Sequence, residues 1–354
     1  MYQLRWYQSE SVDAAWSYLC REAGNPCVVL PTGAGKSLVI AELVRRSVEI
    51  GKRIICLAHR KELLEQNAEK IRALLPGLDV GIYSAGLRQR DTDHQVVMAG
   101  IQSVHKRAAE FGERHLVIVD ESHLVPSDGE GMYRTFFNDL RAINPGVRTV
   151  GLTATPFRTG EGALCGADQL FQKVCYEAPI QRLISDEFLS PVVNTAAAAS
   201  LDTSGLRIRG GEFIQHEMES LFNRGVGPAC REVVTKAHER QSVLVFCSGV
   251  SHAEKVSAEI EKATGERVGL VHGGTLPILR AATLDQFKRR QLRWLINVDV
   301  LTTGFDAPCI DCIAILRATA SPGLFAQIVG RGFRLFPDKQ DFLVLDFGEN
   351  IQRH

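Results

Sequence analysis

The stretch CVVLPTGAGKSLVI, residues 27–40, sets the fold class of this chain of 354 residues. It opens with four apolar residues, as a buried strand does, and continues with a glycine-rich turn. After Lys36, apolar residues recur at helical spacing. A strand, a tight turn and a helix in this order begin a βαβ unit. Because short apolar runs alternate with such helices along most of the chain, the sequence predicts an α/β fold with parallel sheets.

The chain divides into two halves with similar patterning. The strand candidates of both halves are residues 27–30, 53–58, 115–120, 149–154, 242–247, 267–272, 293–298, 312–317 and 342–347. The stretch between the halves, with TAAAAS, TSG and RGGEF, lacks a sustained strand–helix alternation. The sequence therefore predicts one domain at residues 1–189, a linker with a small accessory element at 190–234, and a second domain at 235–354.

Two local patterns of the second half predict helices. Ser251 and Glu254 have the spacing of a capping box, which predicts a helix that begins there and ends at Gly265. The stretch QIVGRGFR, residues 327–334, has the pattern of an apolar helix, with Arg331 between two glycines. Each glycine costs a helix interior roughly 1 kcal/mol relative to alanine, so the pattern indicates that a slim backbone is needed beside this arginine.

The composition is that of a globular protein without net charge. Hydrophobic residues make up 45% of the chain, and 41 basic residues balance 41 acidic ones. Net charge therefore neither supports nor excludes a nucleic-acid partner, and contact with a polyanion depends on local patches. One candidate patch, for which a solvated helix face is the alternative, consists of Lys288, Arg289, Arg290 and Arg293.

The cysteines and the apolar stretches indicate a cytoplasmic protein. Most of the nine cysteines lie inside apolar runs, which is typical of buried thiols in a reducing compartment. Cys309 and Cys312 form a CxxC pair without a second ligand pair at zinc-site spacing, so we expect no zinc there. No apolar stretch has the length of a transmembrane helix, and the N-terminus lacks the apolar core of a signal peptide.

The PTGAGKS turn predicts a phosphate-binding site. The strict P-loop pattern has a glycine where this chain has Leu30, so the pattern fails at that one position. The residues that carry out the chemistry are present. We expect Lys36 to reach the β- and γ-phosphates of a nucleotide and Ser37 to bind Mg²⁺. The backbone that wraps the phosphates would come from Thr32, Gly33, Ala34 and Gly35.

Two acidic residues supply the other half of a nucleotide hydrolase. LVIVDESH runs from four apolar residues into Asp120 and Glu121, so both carboxylates are expected at the carboxyl edge of a sheet. Asp120 is predicted to hold Mg²⁺, and Glu121 to orient or deprotonate the attacking water. An acidic strand end is often just a solvated turn, but Lys36 and Ser37 favour the catalytic interpretation.

A third element lies near the N-terminus, where LRWYQSE places Arg5 and Gln8 before a helix. A glutamine amide can bond both N6 and N7 of adenine, so Gln8 is a candidate for selecting ATP, with Arg5 beside it. A surface glutamine without a ligand is the alternative interpretation.

The order of these motifs resembles that of the superfamily 2 helicases and translocases over nearly the whole chain. The motifs are LRWYQ, PTGAGKS, AHRKEL, IQSV, DESH, TATP, VFCSGVSHAE, NVDVLTTGFDAP and QIVGRGFR. Within that family the chain looks most like the bacterial RadD-type DNA-repair ATPases, and it is also similar to the motors of restriction enzymes. RadD-type proteins carry a cysteine-rich C-terminal extension that does not follow the last strand here, so we expect either a shorter relative without it or a part of a longer protein. DESH and TATP differ from the DEAD and SAT of DEAD-box RNA helicases, which weighs against an RNA helicase of that type.

The resemblance implies two RecA-like domains with ATP in the cleft between them. The second domain would then supply Arg331 and Arg334 to the γ-phosphate as arginine fingers. Gln327 would face the same cleft from the same side of the helix. Gly330 and Gly332 would let the backbone approach the facing domain closely. Asp306 would touch the ribose, and Gly304 would make room beside the nucleotide.

The resemblance also implies that nucleic acid, DNA rather than RNA, crosses both domains. The residues that would contact its phosphates are Arg60, Gln102, Ser103, Ser248 and Thr302. Thr153 and Thr155 would couple the metal site to the strand site. The resulting prediction is an ATP-dependent DNA helicase or translocase of DNA repair, working on single-stranded or forked DNA, with repair proteins as further partners. A duplex translocase that does not separate strands and a nucleotide-dependent clamp that serves as a scaffold are the alternatives.

Overall fold

The apolar runs of the sequence form the strands of two separate, largely parallel sheets. The structure is a computed structural model that describes residues 3–126, 131–158, 162–301 and 305–354. The chain divides into two compact units, Met1–Pro179 and Ile180–His354. Each unit has its own sheet and its own apolar core.

The elements of the first unit follow one another mostly as repeated strand–helix pairs. They are α1 (Trp6–Arg21), β1 (Pro26–Val29), α2 (Lys36–Glu49), β2 (Ile54–Ala58), α3 (Lys61–Leu74), β3 (Val80–Ser84), β4 (Gln89–Arg90), β5 (Val96–Gly100), α4 (Ile101–Val104), β6 (Leu116–Asp120), α5 (Met132–Ile143), β7 (Arg148–Thr153), β8 (Phe157–Arg158), β9 (Gly162–Ala163) and β10 (Lys173–Glu177). The main sheet has the strand order β10-β1-β7-β6-β2-β5-β3-β4. Its neighbouring strands pair in parallel, except for the antiparallel pair β3 and β4.

The central strands of this sheet are covered on both faces. Every residue of β2, β5 and β6 is buried, as is typical of parallel strands flanked by crossover helices. Leu64, Ala68 and Ile71 recur at helical spacing in α3, and all three are buried. The four strands expected in this half are present as β1, β2, β6 and β7, and the α/β fold class is confirmed.

The second unit repeats the architecture with a smaller sheet. Its elements are α6 (Ile180–Ser185), β11 (Val192–Asn194), β12 (Ile208–Arg209), β13 (Glu212–Phe213), α7 (Gln215–Arg224), α8 (Val226–Lys236), β14 (Val243–Cys247), α9 (Val250–Thr264), β15 (Val268–Val271), α10 (Pro277–Lys288), β16 (Trp294–Asn297), β17 (Cys312–Leu316), α11 (Pro322–Val329), β18 (Phe342–Asp346) and α12 (Asn350–Arg353). The strand order is β11-β18-β17-β14-β16-β15, and all neighbours pair in parallel. Among the described residues of both units, no helix has the length and apolar character needed to cross a membrane.

The boundary between the units differs from the boundary expected from the sequence. The structure divides the chain at Pro179 rather than at residue 189, and the stretch 190–234 packs within the second unit. Its β11 pairs with β18 at the sheet edge, and Met218 and Phe222 of α7 belong to the apolar core. The sequence did not reveal this because the strands of this stretch are only two or three residues long and its helices α7 and α8 follow each other without a strand between them, so no sustained alternation appears.

Two helix ends of the second unit also differ from the expectation. Gly249 is the N-cap of α9, so Ser251 lies inside the first turn and forms no capping box, whereas Gly265 ends the helix as expected. α11 ends at Val329, so Arg331 lies in the turns that follow the helix rather than on it.

Gly332 serves the interior of its own unit, in contrast to the expectation that it gives room to a facing domain. A Cβ added at Gly332 would overlap the ring of Phe342 in β18. Phe342 is fully buried and packs edge-on against Phe333, with ring centroids 5.1 Å apart. The absent side chain therefore makes space for a core aromatic ring, which fixes the position of the arginine segment against the sheet.

We predict that Gly332→Ala lowers the free energy of unfolding by about 1–3 kcal/mol, because the added methyl group overpacks the core at Phe342. Urea denaturation measures the change. The control is Gly205→Ala in the same unit, where an added Cβ meets nothing within 4 Å. Equal stability of the two variants would contradict this account of Gly332.

Candidate active site

The turn between β1 and α2 has the geometry of a phosphate cradle. Gly33 and Gly35 adopt left-handed backbone angles, with φ of 90° and 80°, which side chains with a Cβ adopt only with strain. A Cβ at Gly35 would also lie 2.7 Å from Nε2 of Gln8. Because α2 begins at Lys36, the turn delivers its backbone N–H groups to a helix N-terminus, where anions bind. Thr32 precedes these glycines in the turn, and Ser37 is in the first turn of α2.

Two side chains of α1 hold the cradle in place. The carbonyl oxygen of Ala34 accepts hydrogen bonds from Gln8 Nε2 at 2.9 Å and from the Tyr7 hydroxyl at 3.0 Å. The Gln8 oxygen accepts from the backbone N–H of Arg5 at 3.0 Å, and Gln8 is only 2% exposed. Both ends of the amide are thus engaged within the protein. In the structure Gln8 supports the cradle, and its contact with adenine stays a prediction.

A lysine and two carboxylates meet beside the cradle. Lys36 Nζ lies 3.8 Å from Glu121 Oε1. Asp120 ends β6 and is 6% exposed, and its two oxygens accept hydrogen bonds from Asn67 Nδ2 at 3.0 Å and from the Glu121 N–H at 2.9 Å. Burial, reinforced by the neighbouring charge of Glu121, raises the pKa of Asp120 to about 6. Because Asp120 is shielded from water, its ionised form is stabilised when a cation lies beside it.

The backbone at Glu121 is strained. Its φ of 52° lies in the left-handed region, although the residue has a Cβ. Such conformations cost about 1–3 kcal/mol and persist where the surrounding structure enforces them, often at functional sites. Here the turn is closed by the Leu124 N–H, which donates to the Glu121 carbonyl at 2.9 Å.

A series of close polar contacts connects Glu121 to the end of β7. His123 Nδ1 lies 3.5 Å from Glu121 Oε2 and 2.8 Å from the Thr153 hydroxyl. That hydroxyl donates to the Thr155 carbonyl at 2.9 Å and accepts from the Thr155 N–H at 3.1 Å. Since the Thr153 hydrogen is committed to Thr155, His123 donates from Nδ1. Burial lowers the pKa of His123, so the imidazole is neutral at physiological pH.

The side chains at this edge suit a nucleoside triphosphate with Mg²⁺. The Ser37 hydroxyl and the Asp120 carboxylate are hard oxygen donors, which Mg²⁺ prefers. Within the described ranges, no group of three or more His, Cys, Asp or Glu side chains is arranged to hold a metal ion. Beside a nucleotide, Mg²⁺ usually takes one or two protein ligands and completes its shell with phosphates and water, so Ser37 and Asp120 would suffice to hold it.

Arg331 and Arg334, which follow α11, are held in place by polar contacts within the second unit. Arg331 is 5% exposed, and its Nη1 donates to the Phe305 carbonyl oxygen at 2.5 Å. Arg334 Nε lies 2.9 Å from Asp306 Oδ1, so Asp306, which was expected to touch a ribose, pairs with an arginine instead. Lys339 Nζ donates to the carbonyl oxygens of Gly332 at 2.5 Å and Arg334 at 2.8 Å, which clamps the segment.

One guanidinium nitrogen in this segment has no partner. Among the described atoms, Arg334 Nη1 is buried and makes no hydrogen bond. Burial lowers the pKa of Arg334, but an arginine stays charged in a protein. Gln327 lies near the end of α11, and Gly304 is outside the described residues.

The residues expected to contact nucleic acid differ in accessibility. Arg60 is exposed at the start of α3. Gln102 donates to the His59 carbonyl at 3.1 Å, and the Ser103 hydroxyl accepts from the Ala85 N–H at 3.0 Å, which leaves its own hydrogen available. The structure differs from the expectation at Ser248, which is 1% exposed. Its hydroxyl is 2.8 Å from His252 Nδ1, because α9 brings this histidine over it. Thr302 lies outside the described residues.

The sequence interpretation missed four residues that organise these sites. Asn67 binds Asp120, Tyr7 binds the cradle, His123 bridges Glu121 and Thr153, and Lys339 clamps the arginine segment. His123 had a signal, since it is part of the DESH motif. Tertiary packing brings Asn67 and Tyr7 to their partners, whereas Lys339 contacts carbonyl oxygens only five and seven residues earlier in the chain, and no short motif records either kind of contact.

Two family models match the chain, one in each unit. They are the type III restriction enzyme, res subunit, over residues 1–158, and the helicase conserved C-terminal domain, over residues 227–335. A candidate ATP-dependent helicase of Saccharomyces cerevisiae, IRC3, is 26% identical over 97% of this chain and 51% of its own length. A candidate mitochondrial ATP-dependent helicase of Schizosaccharomyces pombe, irc3, is 30% identical over 99% of this chain and 58% of its own. The chain thus spans little more than half the length of these relatives.

A solved structure shares the fold. It is a fragment of a candidate HsdR subunit of a type I restriction enzyme from Vibrio vulnificus YJ016, with a TM-score of 0.73 at 19% identity over 98% of this chain and 64% of that one. The matched ranges and the shared fold show that this chain contains the tandem RecA-like core of a superfamily 2 helicase, a class of ATP-hydrolysing enzymes.

Proposed function

We propose that the chain is an ATP-driven helicase or translocase that acts on DNA, and that DNA stimulates its ATP hydrolysis. The chain of contacts from Lys36 through Glu121 and His123 to Thr153 carries this proposal. It connects the phosphate cradle to the end of a neighbouring strand. A change at the nucleotide therefore has a physical route to other loops at the same sheet edge.

The first unit would perform the chemistry on ATP. Lys36 and the cradle N–H groups bind the phosphates, while Gln8 and Tyr7 keep the cradle open. Ser37 and Asp120 hold Mg²⁺, which supplies positive charge to the phosphate oxygens when bound. Glu121 lies beside Lys36, where it orients the attacking water and accepts its proton.

The second unit would supply charge to the same ATP. Arg331 and Arg334 approach the γ-phosphate, and the unpartnered Nη1 of Arg334 is ready to donate. When ATP is bound, Asp306 would release Arg334 and contact the ribose instead. Gln327 and Gly304 would also lie beside the nucleotide. Each time the two units closed on ATP and opened after hydrolysis, the distance between the residues that bind DNA phosphates would change. Repeated changes of this kind would move the protein along the strand.

The residues that contact DNA phosphates would be Arg60, Gln102 and Ser103 on the first unit and Thr302 on the second. Ser248 joins them only once its hydrogen bond to His252 opens. Backbone contacts of this kind position a strand without reading its sequence.

The similarity to RadD-type ATPases favours a role in DNA repair, on single-stranded or forked DNA and together with repair proteins. The nine free cysteines, most of them buried, favour a reducing compartment such as the cytoplasm.

A second candidate is a duplex translocase that moves without separating strands. The fold shared with a type I restriction subunit favours it. A third candidate, a nucleic-acid clamp that does not turn over ATP, is disfavoured by the complete set of Lys36, Glu121 and Arg331.

We expect ATP turnover to rise with DNA and to fall as salt is raised, because each phosphate contact releases counterions. Phosphate release is measured with single-stranded DNA, duplex, forked DNA and RNA.

Lys36→Ala lowers turnover by about 10²–10³-fold, the loss typical of removing one group that stabilises transition-state charge. The control is Lys70→Ala, an exposed lysine of α3. Turnover that is the same with and without nucleic acid would refute the proposal. A comparison of strand separation on forked DNA with displacement of the third strand of a triplex then distinguishes a helicase from a duplex translocase.

We expect Thr153→Val to uncouple hydrolysis from movement, because the variant keeps the side-chain shape but loses the bonds to His123 and Thr155. DNA-stimulated ATP turnover stays within about threefold of the original, while triplex displacement falls by about tenfold or more. Thr235→Val is the control, since it removes an exposed hydroxyl of α8. Parallel loss of both activities would show that Thr153 serves hydrolysis itself.

Arginine replacement tests the role given to the second unit. Arg331→Gln and Arg334→Gln are expected to lower turnover by about 10³-fold with little change in ATP affinity, because the lost charge acts on the transition state. Binding of a fluorescent ATP analogue gives the affinity, and thermal unfolding checks that the buried Arg331 site still folds. Arg224→Gln at the end of α7 is the control. Normal hydrolysis by both variants would exclude the arginines from the reaction.

A further inference from the structure

A lysine beyond the arginine segment holds the backbone of that segment. The Lys339 ammonium donates to the carbonyl oxygen of Gly332 at 2.5 Å and to that of Arg334 at 2.8 Å. The same ammonium lies 5.4 Å from the centre of the Phe342 ring, within the range of a cation–π contact. One side chain therefore fixes the backbone on both sides of Phe333.

A tight turn brings Lys339 back to this position. The Lys339 N–H donates to the Phe336 carbonyl at 3.2 Å, which closes a four-residue turn through Pro337 and Asp338. Asp338 has a left-handed φ of 63°. A left-handed third residue after a proline is the pattern of a type II turn, and aspartate tolerates that conformation better than most residues. The local sequence thus directs the lysine toward the segment that precedes it.

The contacts of Lys339 differ in kind from the other contacts of the two arginines. Phe305 and Asp306 hold the side chains of Arg331 and Arg334. Lys339 holds main-chain oxygens, so it sets where the Arg334 side chain starts. A misplacement of about 1 Å can cost a reaction about 10²-fold, even when the change lies outside the reacting groups. A loosened backbone here would therefore lower the rate at which ATP is hydrolysed.

The charge of Lys339 is sensitive to mildly alkaline pH. Burial is the main cause that lowers the pKa of this lysine, to about 8. The ionisable groups that face it are Asp311 and Cys309, which favour the charged form, and Arg334 and Arg240, which oppose it. Lys339 is an ammonium below this pH and becomes a neutral amine as the pH rises through it.

We propose that Lys339 is a positioning residue for the arginine segment, and that the loss of its proton sets the alkaline limit of ATP turnover. The inference rests on the proposed function, because it requires that Arg331 and Arg334 act on the γ-phosphate. Hydrogen bonds from a charged donor are roughly twice as strong as those from a neutral one. A neutral Lys339 also loses its attraction to the Phe342 ring. Deprotonation therefore loosens the segment without removing the side chain.

Steady-state ATP turnover of Lys339→Met, measured with saturating single-stranded DNA at about pH 7 and about pH 9.5, tests the proposal. Methionine keeps an unbranched side chain over Phe342 but donates no hydrogen bond. We expect kcat near neutral pH to fall by about tenfold, with the affinity for a fluorescent ATP analogue within about twofold of the original. In the alkaline buffer the difference in kcat narrows to about threefold or less, because the original protein has lost its ammonium as well.

Two further variants separate positioning from folding. Lys339→Arg keeps its charge at both pH values, so its kcat is expected to lack the alkaline decrease of the original protein. Lys262→Met is the control, since it removes a lysine of α9 whose side chain is 79% exposed, and its kcat should match the original at both pH values. Thermal unfolding of each variant checks that the second unit is folded.

Three results would overturn the inference. Unchanged kcat of Lys339→Met near neutral pH, together with impaired Arg334→Gln, would show that Lys339 does not position the segment, although the proposed function stands. An equal loss at both pH values, or the same alkaline decrease in Lys339→Arg, would reduce the lysine to a structural role. Normal hydrolysis by Arg331→Gln and Arg334→Gln would remove the proposed role of the arginines, and this inference with it.

Discussion

Parallel strand pairing brings the chemistry of the first unit to one edge. β7 lies between β1 and β6, so the loops after these three strands are neighbours even though about 90 residues of sequence separate β1 from β6 and about 120 separate it from β7. The cradle, the acidic pair and the Thr153 turn belong to those loops. Everything proposed for this unit depends on that adjacency, because Lys36, Glu121, His123 and Thr153 meet only if these strands are in this order.

Burial then gives the assembled groups their properties. Asp120 is almost inaccessible to water, which raises its pKa and makes a cation beside it favourable. His123 stays neutral for the same reason and holds a fixed hydrogen-bond direction. The strained backbone of Glu121 is consistent with a carboxylate whose placement is enforced by its surroundings. A solvated version of the same residues would have neither fixed geometry nor strong electrostatics.

The second unit uses tight packing for a related purpose. Phe342 fills the space left by Gly332, Lys339 binds two carbonyl oxygens, and Phe305 accepts from Arg331. The arginine segment is thereby fixed by its own unit. Preorganised charge of this kind costs little reorganisation when a reaction proceeds, which suits the role proposed for Arg331 and Arg334.

By itself the sequence determined the α/β class, nine of the strands of the two sheets, and the cradle with its lysine and its acidic pair. These features are local, because apolar periodicity and the glycine requirement act over a few residues. Tertiary structure alone decided that Gln8 supports the cradle, that Asn67 binds Asp120, that Ser248 is covered by His252, and that residues 190–234 pack within the second unit. It also decided that Gly332 serves Phe342. The physical reason is that each of these facts is a contact between segments far apart in sequence or a matter of burial, and both depend on how the whole unit packs.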